Sequence, residues 1–185
     1  MSKSPPIAFD FVALEARILE AARQAFREVA AAHPEQQLCA FALYSDDGAM
    51  TVCPSINTIE HLTQRQRQHP DDAAFYKFAT PEWRFEATGA DLAFQSICDD
   101  VRGYVLALAD FDGKPFTRFR DSLFETCLRV LERLRTEEPF RGDNVLLVFA
   151  VSDSDPDIKT ELARMKRLNA AHVVAEFRRW TKTWR

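Results

Sequence analysis

Glycine is scarce in this chain, and the glycine-rich loops that bind nucleotide phosphates are missing. The 185 residues include five glycines, and neither G-x-G-x-x-G nor G-x-x-x-x-G-K occurs. Both motifs need glycine because the backbone must approach the phosphate oxygens closely. The G-x-S-x-G turn that presents a nucleophilic serine is absent as well. These absences exclude a P-loop nucleotide hydrolase and a hydrolase with its serine on such a turn.

Long apolar runs are also lacking. The longest run covers residues 145–151, which is seven residues, whereas a transmembrane helix needs about 20. Residues 1–6 are polar and rich in proline, and no apolar run of the kind found in signal peptides follows them. We therefore predict a cytoplasmic protein with no membrane partner, in which residues 1–8 form a disordered tail.

The residue types that most often carry out catalysis are not spaced as they are in known sites. The four cysteines form no C-x-x-C pair, and the four histidines form no H-x-x-x-H pair. Zinc sites depend on such close spacing. We therefore predict no metal site, no cofactor and no catalytic residue.

One acidic segment begins like a calcium-binding loop. Asp153, Asp155 and Asp157 alternate along the chain, but Ile158 and Arg164 stand where that loop needs glycine and glutamate. Aspartate is also favoured in turns and at helix N-termini. The sequence favours this second interpretation.

The charge balance argues against nucleic acid as a partner. The net charge is −4, whereas nucleic-acid-binding domains carry an excess of Lys and Arg on one surface. Basic residues do gather between positions 164 and 185. On helices such residues are typical of a solvated face.

Apolar residues that recur at three- and four-residue steps predict helices. These helices cover residues 10–32, 91–109 and 115–136, and two more begin near residues 155 and 169. A short polar helix is predicted over 57–68. The predicted N-caps are Asp10 for the first helix, Asn57 or Thr58 for the polar helix, Asp155 before Pro156, and Asn169 for the last helix.

Shorter apolar runs predict strands. Residues 38–44 and 49–53 should form a hairpin, because the Asp-Gly sequence within 45–48 suits a tight turn. Residues 145–151 are apolar throughout, which indicates a central strand covered on both faces. Segment 71–88 fits either helical turns or a third strand over 83–87, and we favour the strand.

This order of elements predicts a single α+β domain over residues 1–185. Its core is a small, mainly antiparallel sheet, made of a β-hairpin plus one or two further strands and packed by several amphipathic helices. The last helix carries Trp180 and Trp184 on the same stripe as Val173 and Phe177. That shared stripe favours core packing of both tryptophans over an interface.

Three short segments stand out: ALYSDDG at 42–48, TVCPSINT at 51–58 and YKFATPEW at 76–83. Together with the later Leu168-Asn169, they resemble landmarks of an uncharacterised bacterial family, domain of unknown function 4303. The resemblance implies an α+β bacterial domain without established catalysis. It also implies a likeness to the small proteins found near polymorphic toxin genes, where immunity proteins block a toxin by binding it.

Together these observations predict a non-enzymatic protein-binding domain, in its narrowest form an immunity-like protein that neutralises a toxin. Aromatic residues are enriched at binding hot spots, and acidic residues speed association with a basic partner. The predicted binding residues are Tyr44, Asp46, Asp47, Asn57, Tyr76, Glu82 and Trp83. Asp71 and Asp72 could add to the charge that faces such a partner.

Two alternatives remain open. One is an enzyme of unfamiliar type, in which carboxylates of the Asp46-Asp47 turn meet Tyr44, Asn57 or Trp83 in a pocket. The other is a structural domain that associates with copies of itself.

Overall fold

The computed structural model of the protein describes residues 8–108, 113–154 and 157–184. The predicted tail therefore lies outside the described residues except for Ala8, as do Ala109 at the predicted end of one helix and the predicted cap Asp155 with Pro156. No helix in these ranges is both long enough and apolar enough to cross a membrane. The helices and strands are α1 (Phe11–Ala32), β1 (Leu38–Asp46), β2 (Cys53–Thr58), α2 (Ile59–Gln68), α3 (Ala73–Phe78), β3 (Phe85–Glu86), α4 (Asp91–Ala107), α5 (Lys114–Arg135), β4 (Leu146–Ser152), α6 (Ile158–Leu168) and α7 (Ala171–Thr181).

The four strands form one sheet in the order β3-β2-β1-β4. β1 pairs antiparallel with β2 and parallel with β4, and β2 pairs antiparallel with β3. The protein is thus α+β with a mixed, mostly antiparallel sheet, which confirms the predicted fold class at that level.

Side chains of β1 alternate between large and small, and this alternation separates the two faces of the sheet. Phe41 and Leu43 point to the first face, where α1, α4 and α5 contribute most of the buried apolar side chains. Ala40 and Ala42 point to the second face, against residues of α3, α6 and α7. Each large apolar side chain buried in this way stabilises the fold by about 1.5–3 kcal/mol.

Aspartates cap two of the helices. The Asp10 carboxylate accepts hydrogen bonds from the N–H groups of Val12 and Ala13 at 3.1 and 2.9 Å, so the first predicted cap is confirmed. Asp157 does the same for α6 through the N–H groups of Lys159 and Thr160. Both caps satisfy donors that have no partner within the helix.

The predicted tight hairpin is wrong in its second strand, which is Cys53–Thr58 rather than 49–53. The Asp46 carboxylate accepts hydrogen bonds from the Met50 N–H and the Thr51 hydroxyl, and this holds the chain in a wider loop. The Val52 N–H donates to the Cys98 sulfur, and the Cys98 thiol donates to the Val52 carbonyl, with 3.3 Å between the heavy atoms in each case. Neither backbone group of Val52 pairs with β1. Residues 49–52 therefore pack against α4 and do not join the sheet.

Segment 71–88 contains both of the structures that its sequence suggested. Short 3₁₀ turns at Pro70–Asp72 and Thr80–Glu82 flank α3, and the strand that follows is limited to Phe85–Glu86. Trp83 lies before this strand, because its indole N–H donates to the Lys77 carbonyl at 3.2 Å and holds the ring in the second-face core. The prediction of a strand over 83–87 is therefore too long.

β4 is covered on both faces as predicted, but it lies at the edge of the sheet rather than in the centre. The Asn169 amide takes the place of a fifth strand: its Nδ2 donates to the Leu147 carbonyl and its Oδ1 accepts from the Leu147 N–H, at 2.7 and 3.0 Å. Asn169 is thus not the cap of the last helix, which begins at Ala171. Covering an edge in this way removes free backbone groups that would otherwise pair with another chain.

Arg135 joins the end of α5 to the start of β4 and the end of α6. Its guanidinium donates to four backbone carbonyls, those of Phe140, Gly142, Val145 and Leu168, and to Asn169 Oδ1. No carboxylate among the described residues pairs with it. Its role is to satisfy carbonyl oxygens where three segments meet.

Replacing Arg135 by methionine should destabilise the protein substantially. The Arg135→Met side chain keeps the apolar stem but leaves those acceptors without a donor, at a cost of about 3 kcal/mol in the free energy of unfolding. Urea denaturation measures this difference. The matched control is Arg133→Met, whose exposed ion pair with Glu15 should be worth less than about 1 kcal/mol; equal losses for the two variants would contradict the assigned role.

Candidate functional site

A cavity of about 250 Å³ opens on the second face of the sheet, at the carboxyl ends of β1 and β4. Aromatic side chains form much of its wall, and two carboxylates border it. The residues that define this aromatic cavity are Tyr44 of β1, Phe78 of α3, Glu86 of β3, Glu161 of α6, Phe177 and Trp180 of α7, and Trp184 just beyond α7.

The sheet leaves room for the cavity because its side chains become smaller in this direction. On β4 the residues that face the cavity side run from Leu146 through Val148 to Ala150. The β1 partners of Leu146 and Val148 are Ala40 and Ala42, whereas Tyr44, the partner of Ala150, lines the cavity. Protein interiors are otherwise densely packed, so a floor of small side chains must be filled by residues from above or stay open. Rings from α3 and α7 fill it in part.

The aromatic wall is a set of mutually packed rings. Phe78 stacks on Trp180 with ring centroids 5.7 Å apart, and Trp184 meets Trp180 edge to face at 4.9 Å. Phe177 packs against both tryptophans at 5.6 and 6.0 Å. These are favourable geometries for aromatic pairs. Both phenylalanines are buried while both tryptophans stay partly exposed, so the outer wall presents indole surface to solvent.

Glu161 is the more buried of the two carboxylates that border the cavity. Its side chain is 18% exposed, and its carboxylate pairs with Arg164, which is 15% exposed. The Arg164 guanidinium lies 5.1 Å from the centre of the Phe149 ring and 5.9 Å from that of Phe124. Burial raises the pKa of Glu161, and the attraction of Arg164 offsets only part of that increase.

Tyr44 stands at the end of β1 opposite Cys53 of β2. Burial, followed by the nearby Cys53 thiol, raises the pKa of the Tyr44 hydroxyl. The phenol is therefore neutral at physiological pH and keeps its hydrogen-bond donor.

A second depression adjoins the cavity at Trp180. It has a volume of about 330 Å³ and lies between α7 and the turn that precedes α3. Phe75 is 37% exposed here, and acidic side chains stand around it. We call this depression the acidic groove, and its polar and aromatic residues are Asp71, Asp72, Phe75, Glu176, Arg179 and Trp180.

The structure places the predicted binding residues Asp46 and Asp47 outside the aromatic cavity. Asp46 is engaged within its own loop, as described above, and Asp47 pairs with Arg120 of α5 at 3.3 Å. Asp47 borders a different cavity of about 310 Å³, which reaches Glu161 from the other side. Of the predicted residues in this region, only Tyr44 lines the aromatic cavity.

Asn57 lies at the opposite end of the β1–β2 pair from Tyr44. It is buried, and its Oδ1 accepts hydrogen bonds from the N–H groups of Thr58 and Arg84 at 3.0 and 3.3 Å. It borders a separate cavity of about 190 Å³, beside Arg135 and Asn169. Asn57 therefore holds β2 to the segment before β3.

Tyr76, Glu82 and Trp83 come together, but mostly inside the protein. Tyr76 and Trp83 are buried. The Tyr76 hydroxyl accepts from Arg65 at 3.2 Å, and the same guanidinium lies 4.4 Å from the centre of the Tyr76 ring and 3.5 Å from the Glu82 carboxylate. These contacts join α2 to α3. They occupy the Tyr76 hydroxyl and the Glu82 carboxylate inside the protein.

Six of the seven residues that define the aromatic cavity were not among the predicted binding residues: Phe78, Glu86, Glu161, Phe177, Trp180 and Trp184. The spacing of the two tryptophans placed them on a helix stripe with Val173 and Phe177, and that stripe is indeed apolar. Both tryptophans pack against the second-face core, as that stripe predicts, but their side chains stay partly exposed. Among the described residues, no three His, Cys, Asp or Glu side chains converge as they would around a metal ion.

The comparison with protein families agrees with the resemblance of the three sequence landmarks. The family model described as Domain of unknown function (DUF4303) matches residues 18–170, which is most of the chain. The chain therefore belongs to this family. The matched span includes Tyr44, Glu86 and Glu161 and stops before Trp180 and Trp184. No significant match is found among the curated proteins or among the solved structures.

The raised pKa of Glu161 can be measured directly. Carboxyl ¹³C chemical shifts followed against pH should give a titration midpoint above the ordinary value of 4.5. Arg164→Met should raise that midpoint further, because it removes the attraction that favours the carboxylate. A midpoint at or below the ordinary value in either protein would contradict the description of this site.

The same shift sets the sign of a stability effect. Because the folded protein holds the Glu161 proton more tightly than the unfolded chain, this group makes the free energy of unfolding fall as pH rises above its ordinary pKa. The control for the titration is Glu138→Gln, which changes a carboxylate that is 73% exposed beyond the end of α5. It should leave the midpoint of Glu161 unchanged.

Proposed function

We propose that the protein is a non-enzymatic binding domain for another protein, which it holds on the surface formed by the aromatic cavity and the acidic groove. The observation that carries this proposal is the pair of partly exposed tryptophans: Trp180 lines both depressions, and Trp184 packs against it in the aromatic cavity. Tryptophan is among the residues most enriched at binding hot spots, and such anchors act best beside a pocket.

The polar groups around the cavity support binding more than catalysis. Glu161 is paired with Arg164, and the Tyr44 phenol is neutral. A nucleophile would need an adjacent general base within hydrogen-bond reach. Asp46 and Asp47, the carboxylates of the enzymatic alternative, are engaged with Thr51 and Arg120.

Charge around the surface favours a basic partner. Asp71 and Asp72 are exposed in the acidic groove, and Glu86 is exposed at the cavity. Acidic side chains at the rim of an interface speed association with a basic surface and disfavour acidic ones. Two of the acids first considered for this role, Asp46 and Glu82, are held by contacts within the protein.

An immunity-like role in the cytoplasm, in which the partner is a toxin with a basic surface, is the narrower form of this proposal. It is supported by the acidic rim and by the net charge of −4. Association with such a partner should then slow at high salt, because screening weakens long-range attraction.

Removal of the indoles should abolish partner binding. We expect Trp180→Ala and Trp184→Ala each to weaken binding of a protein captured from the source lysate by about 30-fold or more, since hot-spot truncations cost about 2 kcal/mol. Tagged full-length chain serves as bait, mass spectrometry identifies the captured protein, and its affinity is then measured by calorimetry with the purified partner.

The control is Leu92→Ala, which removes an equally apolar side chain that is 84% exposed on α4. It should leave affinity unchanged, and thermal melting should verify that all three variants are folded. Loss of binding in the Leu92 variant alone, or retention in both folded tryptophan variants, would contradict the proposed surface. Capture of nothing but further copies of the chain would favour the homo-oligomer instead.

A further inference from the structure

We propose that the aromatic cavity accepts one positively charged side chain, a lysine or an arginine, of the bound protein. This inference rests on the proposed function and specifies the chemistry of its central contact.

The charges that border the cavity have one sign. Glu86 and Glu161 both line it, and the described residues around it include no lysine, arginine or histidine. Arg164 approaches the Glu161 carboxylate from the neighbouring cavity, beside Phe124 and Phe149. The side that faces the aromatic cavity is therefore free of basic side chains within the described part of the chain.

The rings add a second attraction for a cation. A positive group over the face of tryptophan or tyrosine is stabilised by the ring's electron density, most strongly where water is excluded. Elsewhere in the protein such contacts are made internally, as by Arg65 over Tyr76. Within the described residues, no cation lies over Tyr44, Trp180 or Trp184.

The lining also matches the two halves of a long basic side chain. Val148, Ala150 and Met165 supply an apolar wall on which methylene groups can pack. The Glu161 carboxylate lines the same cavity and can pair with the charged group of such a side chain. The neutral Tyr44 phenol is a further polar group of the lining. An uncharged occupant would cover the Glu161 carboxylate without compensating its lost hydration, which is unfavourable. An acidic occupant would be repelled outright.

Three small probes test this assignment. The full-length protein is titrated with the Nα-acetyl methylamides of lysine, arginine and norleucine, the last being a neutral analogue of the lysine stem. Indole N–H signals are followed by NMR, because Trp83 is buried away from the cavity and serves as an internal reference. The lysine and arginine probes should shift the signals of Trp180 and Trp184 but not that of Trp83, and should bind about tenfold or more tightly than norleucine.

Charge-removing variants separate the carboxylates from the rings. Glu86→Gln lies at an exposed position of β3, so it should lower affinity for lysine severalfold without affecting the fold. Glu161→Gln should lower it further, with its folding checked by thermal melting because Arg164 loses its partner. Glu86→Gln should leave norleucine binding unchanged, whereas Glu161→Gln should strengthen it, because an amide loses less hydration free energy than a carboxylate when it is covered. Glu138→Gln, which lies beyond the end of α5 and outside the cavity lining, should leave all three affinities unchanged.

The outcomes distinguish this inference from the proposed function. Equal affinity for norleucine and lysine, or no lysine or arginine binding at tens of millimolar, would overturn the cationic assignment even if Trp180→Ala still abolished partner binding. Specific lysine binding, with partner binding unaffected by the tryptophan changes, would instead contradict the protein-binding surface. A fourth titration, with choline, tests for a free organic cation: choline bound more than tenfold more tightly than the lysine probe would overturn the side-chain assignment.

Discussion

The rest of the structure depends on the alternation of large and small side chains along β1. This strand pairs with β2 on one side and with β4 on the other, so every helix that packs on the sheet meets it or its neighbours. Phe41 and Leu43 give the first face a bulky core, whereas Ala40 and Ala42 leave the second face shallow. Helices pack over both faces, and on the second face aromatic side chains of α3 and α7 cover the small residues of the sheet.

That asymmetry accounts for the position of the aromatic cavity. The side chains of β4 on this face become smaller from Leu146 to Ala150, and the cavity above them is lined by Trp180 at the end of α7 and by Trp184 just beyond it. Burying Glu161 there has a free-energy cost, which its pairing with Arg164 reduces without removing. The proposed binding of a positive charge would reduce this cost, because it would add a second attraction for the Glu161 carboxylate.

Local patterns predicted those elements whose interactions are themselves local. The Asp10 cap and the apolar stripe of α1 depend on residues within a few positions, and both are present as expected. The hairpin failed because Val52 finds its hydrogen-bond partner in Cys98, which is distant in sequence. The prediction of Asn169 as a helix cap was wrong for a similar reason. The Asn169 amide pairs with Leu147 of an edge strand, and the position of that strand in the sheet is not encoded in a local sequence pattern.

By itself the sequence determined the α+β class, most of the helices and membership of the DUF4303 family, because periodicity, capping and short motifs act over a few residues. Of the seven residues predicted to bind, it identified one, Tyr44, that lines the aromatic cavity. The tertiary structure alone decided that β4 lies at the edge, that Asp46 holds its own loop while Asn57 joins β2 to the segment before β3, and that Trp180 and Trp184 stay partly exposed. Burial and charge pairing between segments far apart in sequence set those outcomes, and a linear pattern does not contain such distances.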